Sequence, residues 1–287
     1  MSLRAYYDGS GKANDHPIIT FGGFVADCAV CEAIEDDWQK ATGGAVFHFA
    51  DFGTDSCQLG SGSWSDTTCV AFLKRLGAIV NRPDVLIVSG SLEVGPYSAF
   101  LAKSPHVHVH GPADSACAQS VARTSEILLE IQGRHTQKVA YIFEKGDRQH
   151  EIAKMFGDWE KKSNSVRSRL RSLSFQDKST TLLQPADLIA GVVQRCLMSA
   201  YEALPNLDNG KSRTALHTFE SHYSTDGVTA SVVAGHDTEH CWVMNQKIFE
   251  KLDDVNSNVF KEYPEVLKKR LKQAPYRLKT KSPKRQQ

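Results

Sequence analysis

LRAYYDGSGK (Leu3–Lys12) joins an apolar run to Asp8 and then to a glycine-rich turn. Apolar and aromatic residues at this density are typical of a buried strand, and Gly9 and Gly11 allow the chain to turn sharply after it. Asp8 would then project from a rigid support at a sheet edge, which suits a catalytic carboxylate. Asp followed by Gly is also a common hairpin signal, so this stretch alone leaves a structural role open.

The rest of the chain alternates between strand and helix patterns. Further strands are predicted at residues 17–26, 45–49, 84–92, 138–143 and 170–175, and helices at residues 28–42, 66–81, 114–132, 150–162 and 182–193. The second strand is expected to run antiparallel to the first. Because strands and helices alternate and the first two strands are antiparallel, we predict an α/β fold in which helices flank a mixed sheet.

Length and composition are those of an ordinary globular protein. The 287 residues are 41% apolar, which is enough for a large core. The 34 basic and 33 acidic residues nearly cancel, so net charge indicates neither a nucleic-acid nor a membrane partner, and any polyanion site must be local. We expect a core over residues 1–204, an insertion or C-terminal helical extension over 205–263, and a disordered basic tail over 264–287 that alternatively binds phosphates.

Targeting signals are not evident in the sequence. No run approaches the roughly 20 apolar residues of a membrane span, and the start MSLRAYYDGS lacks an apolar signal-peptide core. Seven cysteines, an odd number scattered through apolar patterns, favour reduced thiols. We therefore expect a cytoplasmic protein with no membrane partner, and the oligomeric state stays open.

Acidic residues recur where the predicted elements end or begin: Asp8, Asp51, Glu93, Glu144 and Asp187. In a mixed sheet with helices on its faces, Asp8, Glu144 and Asp187 can converge. Hard cations such as Mg²⁺ or Mn²⁺ prefer carboxylate oxygens, and two of them about 4 Å apart can drive phosphodiester cleavage. Each acid can equally cap a helix or close a turn, because sequence spacing does not determine convergence.

The leading hypothesis is therefore a metal-dependent nuclease. It makes Asp8, Glu144 and Asp187 the catalytic metal ligands, with Asp51 as a further ligand or Glu93 as an auxiliary acid. Nucleic acid is the expected partner, and basic and polar side chains near the acids would contact its phosphates. The residues expected to bind substrate are Ser10, His48, Lys178, Arg169 and Arg171.

Two other classes of function remain open. The first is a catalytically inactive module on the same fold that binds nucleic acid or protein. The second is a thiol- or histidine-based metal enzyme that uses Cys28 and Cys31, or the alternating histidines of HVHVH at residues 106–110. This second class has less support, because no flanking ligand completes either set.

Four segments together resemble a bacterial protein family. YYDGSGK followed by ITFGGFVA is similar to the opening hairpin of ribonuclease H-like proteins. The fuller pattern resembles the bacterial domain-of-unknown-function family number thirty-eight hundred. That family opens with Asp-Glu-Ser-Gly, has a His-plus-acid segment after an early helix, ends a central strand on an acid, and has a late Leu-Gln-x-Ala-Asp-Leu-Ile-Ala-Gly helix. The counterparts here are residues 8–11, 48–51, 144 and 183–191.

The resemblance covers about residues 3–200 and implies a ribonuclease H-like fold with metal-dependent nuclease activity. Two residues depart from the family pattern. Gly9 stands where the family usually has Glu, which removes one potential ligand or base, and Glu144 stands where Asp is more usual. The first departure bears on activity more than on fold.

Overall fold

Five strands form one mixed sheet in the computed structural model, which describes residues 2–94, 113–134, 136–146, 149–162 and 169–202. The strands are β1 (Ser2–Ser10), β2 (Ile18–Asp27), β3 (Leu86–Glu93), β4 (Lys138–Glu144) and β5 (Leu170–Gln176). Their order in the sheet is β3-β2-β1-β4-β5. β2 pairs antiparallel with both β1 and β3, whereas β4 pairs parallel with both β1 and β5.

Helices cover both faces of this sheet. They are α1 (Cys28–Thr42), α2 (Asp66–Val80), α3 (Ala113–Ile131), α4 (Gln149–Lys162) and α5 (Leu183–Glu202). Alternate strand residues point to opposite faces, so Tyr6 packs in the core under α1, α2 and α5, and Tyr7 packs in the core under α3 and α4. The predicted α/β mixed sheet flanked by helices is confirmed.

Local signals explain where these elements end. The Ser65 side chain accepts a hydrogen bond from the backbone N–H of Thr68 and so caps the start of α2, as expected for a serine at that position. Gly43 ends α1 with a φ of 64°, a left-handed conformation that glycine adopts without strain. Across the described ranges, no helix is both long and apolar enough to cross a membrane.

The strand predicted at residues 45–49 is not formed, so that prediction is wrong. The backbone N–H of Phe47 donates to Gln184 Oε1 at 2.9 Å, and that of Phe49 donates to Asp187 Oδ2 at 2.7 Å. Side chains of α5 therefore satisfy the donors that a neighbouring strand would otherwise bind. The apolar residues in this segment are buried against helices, and that burial produced the misleading strand pattern.

Close packing brings α5 against the sheet. A Cβ atom added at Gly22 of β2 would lie 2.7 Å from the backbone of Ala190, and one at Gly191 would overlap the ring of Phe49. Gly22 pairs with Asp8 across the β1–β2 ladder. Because α5 crosses the sheet at this register, Asp187 of α5 lies beside Asp8.

Several predictions fall on residues that the structure does not describe. The insertion or extension at 205–263 and the basic tail at 264–287 lie beyond Glu202, where the described residues end. The HVHVH segment at 106–110 also lies outside the described residues. These expectations stay predictions.

We predict that Gly22→Ala lowers the free energy of unfolding by about 1–3 kcal/mol, because the new methyl group meets helix backbone that cannot rotate away. Urea unfolding measures the change. Gly157→Ala in α4 is the matched control, since nothing lies within 4 Å of its added Cβ. That variant should be neutral or more stable by up to about 1 kcal/mol. Equal destabilisation of both variants would contradict the close approach.

Candidate active site

Three carboxyl groups from three elements surround the ammonium group of Lys178. Lys178 Nζ lies 3.5 Å from Asp8 Oδ2, 3.4 Å from Glu144 Oε1 and 3.6 Å from Asp187 Oδ1. We call Asp8, Glu144 and Asp187 the acid cluster. The three acids, whose convergence the sequence leaves open, therefore lie together around Lys178, which the sequence predicts only as a phosphate contact.

The strand topology accounts for this convergence. The parallel pairing of β1 with β4 ends at Tyr7 and Phe143, so Asp8 and Glu144 are the next residue of each strand. Carboxyl ends of neighbouring parallel strands lie at the same edge of a sheet, where open α/β sheets bind ligands. Lys178 follows β5 by two residues and reaches the same edge.

Backbone amides orient two of the acids. The N–H of Gly9 donates to Asp8 Oδ1 at 2.7 Å, and the N–H of Phe49 donates to Asp187 Oδ2 at 2.7 Å. The second oxygen of each carboxyl group is left to face Lys178. One oxygen of each acid is therefore held in place, and the other is available to a cation.

Asp8 is the most enclosed member of the cluster, with 0% of its surface exposed. Among the described residues, its Oδ2 atom has no hydrogen-bond partner. Two ionised carboxylates cannot bond to each other, since neither has a proton to donate. When Asp8 is protonated, however, it can share a hydrogen bond with Glu144.

Burial and mutual repulsion alter how the cluster titrates. The pKa of Asp8 is raised well above its usual value, first by burial, then by the hydrogen bond with Glu144 and the negative charge of Asp187. Burial likewise raises the pKa of Asp187, although Lys178 and the Phe49 amide oppose that effect. The cluster therefore retains a proton at a higher pH than an isolated aspartate does.

Lys178 stays charged in this setting. Burial lowers the pKa of its ammonium group, but the carboxyl groups of Asp8, Asp187 and Glu144 outweigh burial and the pKa is raised. Only 21% of its side chain is exposed. Lys178 is thus the counter-ion of the cluster.

The donor chemistry fits a hard divalent cation, since three carboxylate oxygens face one position and one of them is an otherwise unpartnered buried atom. The ammonium group holds that position at 3.4–3.6 Å, distances longer than the roughly 2.7–2.9 Å of a charge-assisted hydrogen bond. Within the described ranges, no group of three His, Cys, Asp or Glu side chains has metal-binding geometry. The cluster therefore has the ligand types of a cation site. The cation at that site is the ammonium group of Lys178.

Residues 48–52, which we call the HFADF segment, lie beside the cluster. His48 Nδ1 is 3.6 Å from Asp51 Oδ2, and a positive charge on His48 would favour ionised Asp187. Asp51 is half exposed and is not within ion-pair distance of Lys178. Asp51, expected as a metal ligand, thus pairs with His48 instead of joining the three acids.

Ser10 and Glu93, which the sequence predicted at the site, each pair with another element of the fold. The Ser10 hydroxyl donates to Gln194 Oε1 at 2.7 Å, so it helps to join β1 to α5. The backbone of Glu93 ends the edge strand β3 and pairs with Ile18, whereas Asp8 pairs with Gly22, four residues farther along β2. The backbone of Glu93 therefore lies away from the level of Asp8 in the sheet.

Arg169 and Arg171 also lie away from the acids. Arg169 is 7% exposed and donates to the backbone carbonyl of Glu126 at 3.1 Å, while Arg171 is exposed and donates to the Ser2 hydroxyl. Both lie at the start of β5, whereas Glu144 pairs with its last residue, Gln176, about 20 Å farther along the strand. Arg169, expected from the sequence to contact substrate phosphates, is buried within the fold.

Sequence patterns did not identify Gln184 as a structural support of the site. Its Oε1 atom accepts hydrogen bonds from Trp38 Nε1 and from the Phe47 backbone N–H, each at 2.9 Å. These bonds tie α1 and the HFADF segment to the start of α5. The available signal was a polar residue in the first turn of a helix with a long apolar stripe.

The thiol alternative loses support in the described part of the chain. Cys28 and Cys31 are both free, and Cys31 is buried. Burial raises the pKa of Cys31 to about 12, so its thiol stays protonated and is a poor nucleophile or metal ligand at neutral pH.

Comparison with known protein families and with curated proteins finds no match to this chain. The resemblance to the bacterial family therefore stays a prediction based on the motifs in residues 3–200. The geometry of the acid cluster is the main basis for a functional proposal.

We predict that Asp8→Asn stabilises the protein at pH 8 by about 0.5–2 kcal/mol, as other changes that relieve strained functional sites do. An acid with a raised pKa contributes stability that is present below its unfolded pKa and is lost as pH rises through its folded pKa. Asparagine avoids that loss, keeps the oxygen that accepts from Gly9, and supplies an N–H to Glu144. The gain should therefore shrink toward pH 4.

Thermal or urea unfolding in EDTA at both pH values measures this difference. Asp158→Asn is the control, because Asp158 is exposed and pairs only weakly with Lys161. A variant Asp8→Asn that is less stable than the unaltered protein at pH 8 would show that the ion pair with Lys178 outweighs burial.

Proposed function

We propose that this protein is a divalent-metal-dependent phosphodiester hydrolase, a nuclease of ribonuclease H-like type. The observation that carries the proposal is the convergence of Asp8, Glu144 and Asp187 on one cation position at the carboxyl ends of β1 and β4. Carboxylate oxygens held on rigid elements are the ligands that Mg²⁺ and Mn²⁺ prefer.

The fold supports the same proposal. A five-stranded mixed sheet that opens with an antiparallel hairpin and has helices on both faces is compatible with a ribonuclease H-like fold. Three acids from the motifs of the resembling family, Asp8, Glu144 and Asp187, are members of the cluster, whereas Asp51 is not. Gly9, where that family usually has Glu, contributes its amide to Asp8 instead of a carboxylate.

In this proposal, Asp8, Glu144 and Asp187 hold Mg²⁺ or Mn²⁺. The chemistry supplied by the bound ion is Lewis-acid activation of water and of the scissile phosphate. Gly9 and Phe49 keep Asp8 and Asp187 oriented through their backbone amides, so one oxygen of each acid would remain available to the ion.

Lys178 has two roles in the proposed hydrolase. Without a divalent ion its ammonium neutralises part of the acid cluster. The same three oxygens would hold a divalent ion, which an ammonium group at that position opposes by charge repulsion. The Lys178 side chain is 21% exposed at this edge of the sheet, so its ammonium would also be a point charge for a substrate phosphate.

A second candidate function has its own supporting observation. The ammonium of Lys178 already contacts all three acids, and the described ranges contain no group with metal-binding geometry. If Lys178 is the permanent cation, the cluster only stabilises the fold. The protein is then a catalytically inactive module that binds nucleic acid or protein.

We predict that Asp8→Asn and Asp187→Asn each weaken Mn²⁺ binding at least about tenfold and reduce cleavage of a labelled oligonucleotide at least as much. Calorimetric titration measures the metal affinity, and gel analysis measures cleavage. Asp51→Asn is the matched control, because Asp51 pairs with His48 and does not face Lys178.

The inactive module gives a different set of results. It binds no stoichiometric Mn²⁺, and its oligonucleotide binding survives both substitutions but weakens when the residues after Pro264 are removed. Absence of Mn²⁺ binding by the unaltered protein would overturn the hydrolase proposal.

We predict that Lys178→Met strengthens Mn²⁺ binding about tenfold, because it removes a positive charge from the position that the ion takes. Cleavage should nevertheless fall, since the phosphate contact is lost. The same calorimetric titration measures the affinity, with Lys40→Met as the control because Lys40 is exposed on α1. Weaker Mn²⁺ binding by Lys178→Met would show that lysine and metal do not share one position.

A further inference from the structure

Arg195 of α5 lies with its guanidinium group over the ring of Phe49. The guanidinium carbon is 4.4 Å from the ring centroid, within the range of a cation–π contact. Arg195 is exposed to solvent, whereas Phe49 is buried. The contact therefore fixes the position of a charged group that still reaches solvent.

No acid neutralises this arginine in the part of the chain that the structure describes. Arg82 pairs with Asp37, and Arg134 pairs with Asp27 at 2.9 Å. Burial lowers the pKa of Arg195, and no carboxylate counters that effect. Arg195 thus carries a partly desolvated positive charge without a protein counter-ion among the described residues.

Arg195 lies on the same side of the molecule as the acids. The preceding residue, Gln194, accepts from the Ser10 hydroxyl at 2.7 Å and donates to the Ile18 carbonyl at 3.4 Å, so this turn of α5 lies where β1 ends and β2 begins. Phe49 also connects the acid cluster to Arg195, because its amide binds Asp187 and its ring contacts Arg195.

The contact with Phe49 does not consume the hydrogen-bonding capacity of the guanidinium. A cation–π contact is an electrostatic attraction to the face of the ring, and the guanidinium carries five N–H donors. Two parallel N–H groups match the two oxygens of a phosphate. The ring of Phe49 thus orients the arginine without consuming the donors that an anion would need.

We propose that Arg195, held on Phe49, binds a backbone phosphate of a nucleic-acid strand whose scissile phosphate lies at the acid cluster. The identity of the anion rests on the proposed function. Eight residues of helix separate Asp187 from Arg195, about 12 Å along the axis. One nucleotide of a duplex strand advances about 3.4 Å, so Arg195 meets a phosphate other than the scissile one.

A simpler role for Arg195 is to cover Phe49, whose ring packs on Gly191. In that case its substitution changes stability and nothing else. The two roles differ in the salt dependence of strand binding, because each lost phosphate contact to a single strand lowers the magnitude of the salt slope by about 0.7.

The test is fluorescence anisotropy of a fluorescein-labelled single-stranded DNA 20-mer, titrated with full-length protein in EDTA at several KCl concentrations. Arg195→Gln should weaken binding about tenfold at low salt and reduce the slope by about 0.7. Arg195→Lys should keep the slope but bind more weakly, since it retains the charge and loses the paired donors. Arg171→Gln is the control, because Arg171 is exposed at the start of β5 and should leave binding unchanged.

Three results would overturn the proposal: no binding of the 20-mer by the unaltered protein, a slope for Arg195→Gln equal to that of the unaltered protein, or equal losses in the Arg195 and Arg171 variants. If Arg195→Gln does not fold by circular dichroism, Arg195→Lys decides the question through its affinity. A parallel Mn²⁺ titration separates the two proposals. Failure of metal binding contradicts the hydrolase, whereas a normal Mn²⁺ affinity with unchanged DNA binding in Arg195→Gln contradicts only the Arg195 assignment.

Discussion

Repulsion between carboxylates is the constraint on which the centre of this structure depends. Asp8, Glu144 and Asp187 are brought together by strands and a helix that cannot move apart without exposing core, so their charge must be neutralised in place. The ammonium of Lys178, the backbone amides of Gly9 and Phe49, and raised pKa values share that task. A fold stabilised mainly by apolar packing thus tolerates a costly polar site at the edge of its sheet.

Close packing determines where this repulsion occurs. Gly22 lets Ala190 approach the sheet, and the same crossing sets Asp187 at the level of Asp8. Neither glycine nor alanine carries a functional group, yet the geometry of the acids follows from their small size. A glycine within a strand is compatible with the close approach of another backbone, but only the structure identifies α5 as the element that packs on Gly22.

Most of the fold could be predicted from the sequence, because strand and helix periodicity is a local property. The order of the strands and the short HFADF segment could not, since they depend on contacts distant in sequence, such as those of Phe47 and Phe49 with Gln184 and Asp187. Asp8 and Glu144 could be named from their places near strand ends, and Asp187 from its place near the start of a helix. The central place of Lys178 could not be found from residue type alone, nor could the burial of Arg169 at the far end of β5.

The two amide-bound acids differ in what else relies on them. Asp8 holds only the N–H of the next residue, Gly9, whereas Asp187 holds the N–H of Phe49, 138 residues away, and so anchors a segment that has no strand partner. Loss of Asp8 leaves the surrounding architecture supported, but loss of Asp187 releases a piece of it. If the proposed activity were lost during evolution, selection for folding alone would still retain Asp187 but not Asp8. Conservation of Asp8 would therefore be stronger evidence for the activity than conservation of Asp187.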